Sequence, residues 1–280
     1  MKSLGKSNVF RNARIKYFPD SNGNWFPYSV KVFNRQVFKL DGWEARGETK
    51  VIKTADDKEK IKGDNSKKSF KASKDRLFDI LMCTKCLDCF VTLTLSSEAV
   101  DRTDYNAVVK KLSTWLDNRV RRENLTYILV PEFHDDGENI HFHGLMNMEA
   151  LKLVRAVNND KDSPFYLKPL CDKKKRPVYN ISDYVLGFSS VIKITGKNGR
   201  EACAKYCWKY ITKTEGQKVG GRYYLSGGAL VRPVYEYLDA YLESVPAESV
   251  RCGENGEYGE YRNYIFDEGF SYEDFLLKQM

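Results

Sequence analysis

Three histidines and one group of tyrosines and lysines hold most of the chemistry this chain can do. His141-Phe142-His143 lies in a strand-like run from Ile140 to Met146. Residues i and i+2 of a strand face the same way, so the two imidazoles point together and Phe142 points into a core. On the preceding run, Glu132 and His134 also share one face. A hairpin centred near Asp136-Gly137 brings that face round to the histidines. Two imidazoles and one carboxylate can hold a divalent ion while leaving positions for a phosphate oxygen. Mixed nitrogen and oxygen donors suit Mg²⁺ or Mn²⁺, and Mn²⁺ tolerates nitrogen better. The third donor is Glu132, with His134 as its rival. All three histidines of the chain fall between residues 134 and 143, a clustering that favours metal binding over scattered structural roles.

The second constellation is Tyr206-Cys207-Trp208-Lys209-Tyr210-Ile211-Thr212-Lys213. Its pattern predicts a helix over 200–213. Tyr206 and Tyr210 then stack one turn apart, beside a stripe of Lys205, Lys209 and Lys213. A phenol has a reference pKa near 10, so attack at neutral pH needs a metal on the phosphate or a nearby lysine. The same helix also has a bland reading. Cys203, Tyr206, Cys207, Tyr210 and Ile211 follow the spacing of an ordinary buried stripe. Metal site and phenols together suggest cutting of single-stranded DNA with covalent attachment to tyrosine.

These residues need a scaffold. Residues 68–82 predict an amphipathic helix, with Leu77, Ile80 and Leu81 at helical spacing. Phe90 to Leu95 reads as a buried strand. Residues 104–122 predict a helix with Val108, Leu112 and Leu116 on one side and Arg119, Arg121 and Arg122 near its C-terminus. Strands follow at 127–130 and 140–146, around the turn-forming run Asp135 to Asn139. A helix is expected around 149–157, turns over 158–180, a strand at 188–194, a last strand at Tyr223-Tyr224-Leu225 and a short helix at 233–242. The implied class is α+β, with a mainly antiparallel sheet of about five strands flanked by helices. We divide the chain into a partly irregular N-terminal extension (1–69, with a turn at Gly63-Asp64-Asn65), a central domain (70–245) and an acidic tail (246–280).

The 280 residues carry a net charge of +8. Residues 251–280 alone carry −4, leaving +12 on residues 1–250. A basic body favours a polyanionic partner. No apolar run reaches the roughly 18–20 residues of a membrane span, and the N-terminus lacks the apolar core of a signal peptide. Seven cysteines without a secretory context imply reduced thiols, as in a bacterial cytoplasm. Cys83, Cys86 and Cys89 have zinc-like spacing but no evident fourth ligand. Lys173 to Arg176 is a solvated loop or a grip on phosphates.

Taken together, the motifs resemble those of rolling-circle replication initiators of the His-hydrophobe-His (HUH) endonuclease superfamily. Phe90-Val91-Thr92-Leu93-Thr94 resembles the first motif, His141-Phe142-His143-Gly144-Leu145 the metal motif and Tyr206 to Lys213 the nucleophile motif. The likeness covers about residues 70–235 and is greatest to initiators of small bacterial plasmids and microvirus-type phages. It implies an RRM-like core and an origin nick that leaves a 5′-phosphotyrosyl bond and a 3′-hydroxyl primer. It also implies metal on His141, His143 and Glu132. Tyr210 becomes the first candidate nucleophile and Tyr206 the second, the latter being a second nucleophile or a packing residue. The expected partners are single-stranded origin DNA, a host helicase and a DNA polymerase. No Gly-x-x-x-x-Gly-Lys-[Ser/Thr] phosphate loop is present. The alternatives are a single-strand transposase or relaxase with the same chemistry, a metallohydrolase, and a non-catalytic origin-binding regulator.

Overall fold

The strand that carries the histidines alternates as its sequence demands. Ile140, Phe142 and Gly144 are buried, whereas His141 and His143 are partly exposed. The strand bearing Thr92 and Thr94 alternates in the same way. Both sit in a computed structural model that describes residues 10–20, 22–39, 55–133, 140–196, 199–213, 218–249, 251–255 and 259–280.

In chain order the first elements are β1 (Phe10–Arg11), β2 (Ala13–Pro19), β3 (Trp25–Phe33), β4 (Phe38–Lys39), α1 (Ala55–Cys83), β5 (Cys89–Leu95) and α2 (Tyr105–Glu123). Next come β6 (Tyr127–Phe133), β7 (Ile140–Met146), β8 (Leu153–Arg155), β9 (Val178–Ile181), β10 (Gly187–Lys193) and α3 (Gly199–Lys213). The last are β11 (Leu225–Gly227), β12 (Val234–Leu238), β13 (Arg251–Asn255), β14 (Gly259–Ile265) and α4 (Tyr272–Leu277). The architecture is α+β, and the chain divides into one unit of Lys58–Arg232 and another of Met1–Asp57 with Pro233–Met280.

The larger unit is built on a seven-stranded antiparallel sheet in the order β11-β6-β7-β5-β10-β9-β8. This is two strands more than the sequence suggests, because the short edge strands β8 and β11 carry almost no pattern of their own. One face buries Val91, Leu93, Leu129 and Phe142 against Val108, Leu112 and Leu116 of α2. Asp104 caps α2 by accepting from the amides of Asn106 and Ala107, and left-handed Asn124 ends it. The opposite face buries Ile128, Val130 and Leu145 against Leu77, Ile80 and Leu81 of α1 and Ala204, Cys207 and Ile211 of α3. That second face is the one bearing His141 and His143.

The smaller unit is a five-stranded antiparallel sheet in the order β12-β2-β3-β14-β13, with β1 and β4 as a separate pair. Ala13, Ile15, Val30 and Val32 pack with Leu242, Val245, Phe270 and Phe275. Residues expected as an irregular extension thus form β1 to β4, and the expected acidic tail supplies β13, β14 and α4.

Three local expectations are corrected. Residues 233–242 contain β12 rather than a helix, because Val234 to Leu238 pair with Tyr17 to Ala13 of β2 and give the β-branched and aromatic residues a sheet to lie on. Residues 149–157 hold only a 3-10 turn at Met148–Ala150 before β8, which pairs with β9. Gly63-Asp64-Asn65, expected as a turn, lies within the continuous helix α1. The expected hairpin is present as β6 and β7, and its connection at 134–139 lies outside the described residues.

Gly144 is the tightest point of this sheet. A Cβ there would stand 1.8 Å from the Ile128 carbonyl oxygen and 2.9 Å from the Leu129 Cα, both backbone atoms of β6. Gly144→Ala is expected to cost about 3 kcal/mol or more. That corresponds to a fall in Tm of roughly 6–12 °C for a unit of this size, read by thermal unfolding. A Tm within about 2 °C of wild type would contradict the close β6–β7 approach.

Candidate active site

Register places the site before any side-chain contact is considered. His141 lies opposite Thr94 on β5 and opposite Glu132 on β6. His143 lies opposite Thr92 on one side and Val130 on the other. Directly opposed residues share a face, so Thr92, Thr94, Glu132, His141 and His143 form one polar patch on the α1/α3 side of the sheet.

The threonines orient the imidazoles. Thr92 Oγ1 lies 3.0 Å from His143 Nδ1, and Thr94 Oγ1 lies 2.7 Å from His141 Nδ1. Both rings therefore use Nδ1 toward the sheet and turn Nε2 the other way. His143 Nε2 meets Glu132 Oε2 at 2.7 Å. The two rings are nearly parallel, with centroids 6.2 Å apart. A threonine hydroxyl can donate or accept. It can thus donate to a bare Nδ1 when Nε2–H is bonded to Glu132. It can equally accept from Nδ1–H if Nε2 gives up its proton to bind a metal. A carbonyl or carboxylate in the same place would support only the second state.

The donor set suits a divalent ion. Two imidazole Nε2 atoms and a carboxylate are appropriate ligands, and Glu132 and His143 already meet at hydrogen-bond distance. As the described side chains stand, no three His, Cys, Asp or Glu residues are gathered as a complete cage. A metal on this patch would draw in His141 as the third donor. His134 lies outside the described residues, so Glu132 is the carboxylate or imidazole that the structure brings to the pair.

Helix α3 carries the phenols across this patch. Its buried stripe is Ala204, Cys207 and Ile211, and burial pushes the Cys207 thiol up. Arg200 fixes the start of the helix by donating to the carbonyls of Thr84 and Lys85 at 2.8 and 2.7 Å. Lys74 of α1 stands 3.9 Å from the centroid of the Trp208 ring. Tyr206 and Tyr210 flank the buried stripe rather than filling it, and Tyr206 is 39% exposed. The Tyr210 ring stacks on His143 at 5.2 Å between centroids, whereas Tyr206 lies edge-on to the same imidazole at 6.3 Å. The two phenolic oxygens are 2.7 Å apart. Burial raises the Tyr206 pKa, and its hydrogen bond to Tyr210 and the negative charge of Glu132 push it further up. Tyr206 therefore keeps its proton at neutral pH.

The lysine stripe behaves less uniformly than its spacing suggests. Lys205 pairs with Glu201 at 2.7 Å. Lys209 is exposed beside the phenols. Lys213 closes α3, and its side chain lies outside the described residues. Cys83 and Cys89 are buried, Cys86 is exposed, and Cys89 donates to the Met146 carbonyl at 3.2 Å. Burial raises the Cys89 thiol, as for an inert core cysteine.

Thr92, Thr94 and Phe90 are the site residues that spacing alone did not single out. Phe90 packs edge-on to Tyr206 at 5.2 Å and lies 6.2 Å from His143. The available signal was the alternation Phe90-x-Thr92-x-Thr94, which puts all three on one face. Their partners appear only once the register with β7 is known.

Residues 88–215 match a family of replication-associated proteins, the ORF2 type. The match runs from β5 to the end of α3, so it spans every member of the patch and both tyrosines. No curated protein and no solved structure gives a significant match to the chain. No helix among the described residues is long and apolar enough to cross a membrane.

The threonine contacts can be tested without any metal. Thr92→Val and Thr94→Val remove a hydroxyl at nearly constant shape, at an expected cost of about 1 kcal/mol each. Nitrogen NMR of the imidazoles is expected to show the Nδ1 signal of His143 moving in the first variant and that of His141 in the second. Unmoved ring signals in both variants would contradict the assigned orientation.

Proposed function

We propose that this protein initiates replication by nicking single-stranded DNA at an origin, with Tyr210 as first nucleophile, as in the HUH superfamily it resembles. The observation that carries this reading is the stacking of Tyr210 on His143 while the same imidazole meets Glu132. A phenol, two imidazoles and a carboxylate thus share one patch. The similarity of residues 88–215 to replication-associated proteins supports a role in replication.

The step balances simply. The Tyr210 oxygen attacks the scissile phosphorus, and the bond from phosphorus to the 3′ oxygen breaks. The phenol loses one proton and the leaving oxygen gains one. The products are a 5′-phosphotyrosyl ester and a 3′-hydroxyl. Tyr206, which holds its proton firmly, donates to the Tyr210 oxygen and stabilises negative charge building there. Glu132, His141 and His143 would hold Mg²⁺ or Mn²⁺, which supplies positive charge to the phosphate oxygens. The threonines hold the imidazoles for that task, and such supporting contacts are typically worth roughly 10–100-fold in metal affinity or activity. Lys209, and Lys213 by its place on the helix, would help bind phosphate. Tyr206 would act as a second nucleophile in a later strand transfer. The sequence has no phosphate loop, so duplex opening would fall to a host helicase and extension of the primer to a DNA polymerase.

On this reading Tyr210→Phe lowers nicking of origin-bearing single-stranded DNA by at least about 10³-fold and leaves DNA binding intact. Tyr206→Phe has a smaller effect on the first cut. His141→Ala with His143→Ala also abolishes cutting, with or without added Mn²⁺. Full cleavage by Tyr210→Phe would move the nucleophile to Tyr206, and full cleavage by the double histidine variant would end the metal assignment.

A further inference from the structure

Between β8 and β9 the chain extends from the sheet edge as an arm, residues 156–178, that the patch above does not use. The arm is ordered by its own backbone. The Ala156 amide donates to Val178, the Leu170 amide to Ala156 and the Val178 amide to Leu170, at 2.8–3.2 Å. Farther out, Asn158 and Leu167 pair, and the Asn158 side chain donates to Ser163 Oγ at 3.0 Å. At the other turn, Asp172 accepts from the amides of Lys174 and Arg176 and from Arg176 Nε. That turn holds Lys173, Lys174 and Lys175 out into solvent.

A rigid arm with this surface is costly unless something covers it. Phe165, Tyr166 and Leu167 are 59%, 41% and 58% exposed at consecutive positions. Leu167 is held there in a left-handed conformation, φ 59°. Lys168 stands 5.0 Å from the centroid of the Phe165 ring. Exposed aromatic planes interleaved with cations offer what unpaired nucleotides need, a stacking surface for bases and positive charge for phosphates. The basic turn also lies toward the tyrosine helix. Burial raises the Cys203 thiol, one turn before Tyr206, and the charges of Arg176, Arg200 and Lys174 act on it in the opposite direction.

We propose that the 156–178 arm grips single-stranded DNA flanking the cutting site, with Phe165 and Tyr166 stacking on bases and Lys173, Lys174 and Lys175 holding phosphates. This deepens the strand-cutting reading and rests on it for the identity of the site the strand enters. A duplex offers no free base faces to two such rings, so unpaired DNA is the favoured occupant.

The test is binding of the full-length chain to a fluorescein-labelled oligothymidylate of about 30 nucleotides, long enough to span more than one binding site, without divalent metal and over a series of salt concentrations. Phe165→Ala with Tyr166→Ala is expected to weaken binding about tenfold at every salt concentration. K173Q/K174Q/K175Q is expected to reduce the slope of log affinity against log salt by about 2. All five residues are exposed, so both variants should keep the wild-type circular dichroism and Tm. Wild-type affinity and slope in both variants would overturn the proposal and leave the apolar tip to a different partner. The readout is independent of cleavage. A wild-type chain that never cuts DNA, while the arm variants lose binding, would sink the strand-cutting reading and not the arm.

Discussion

Everything proposed for this chain depends on the register of three strands. Side chains on a strand alternate with period two, so sliding β7 by one residue would turn both imidazoles into the core beside α2. The observed register sets His141 between Thr94 and Glu132, and His143 beside Thr92. Gly144 lets β6 approach where any Cβ would meet the Ile128 carbonyl. Phe142, fully buried on the opposite face, makes a slip expensive. The polar patch is thus secured by apolar residues that take no part in its chemistry.

The tyrosine helix reconciles two readings that looked exclusive. Its buried stripe is real, but it is carried by Ala204, Cys207 and Ile211. The phenols stand on the flank of that stripe, close enough to the sheet to stack on His143 and exposed enough to meet a substrate. Packing fixes the helix axis, and the axis aims the phenols. The two tyrosines differ through the same placement. Tyr210 lies face to face with the imidazole, while Tyr206 sits edge-on, within reach of the Glu132 charge that helps it retain its proton.

Much of this was legible in the sequence where the signal is local. Period-two alternation announced β5 and β7, and helical spacing announced α2 and α3 within a residue or two. The shared face of Glu132 and His143 followed from a hairpin with a recognisable turn. What was illegible depended on distant partners. Val234 to Leu238 became a strand only because β2, more than 200 residues earlier, supplies its edge. Thr92 and Thr94 gained their roles only through register with β7. The polar start of α1 has little apolar pattern, and its helix was expected to begin at residue 68 rather than at Ala55. For β12 and the threonines alike, long-range contact, not intrinsic propensity, decided the outcome.

The most direct measurement is identification of a covalent adduct. The wild-type chain would be incubated with Mn²⁺ and single-stranded DNA tiled across its own genetic element, denatured in detergent, digested and sequenced by mass spectrometry. The account predicts a nucleotide joined through a 5′-phosphate to Tyr210, formed only when metal is present. Cleaved DNA with no modified tyrosine would contradict it and point to hydrolysis by water at the histidine patch.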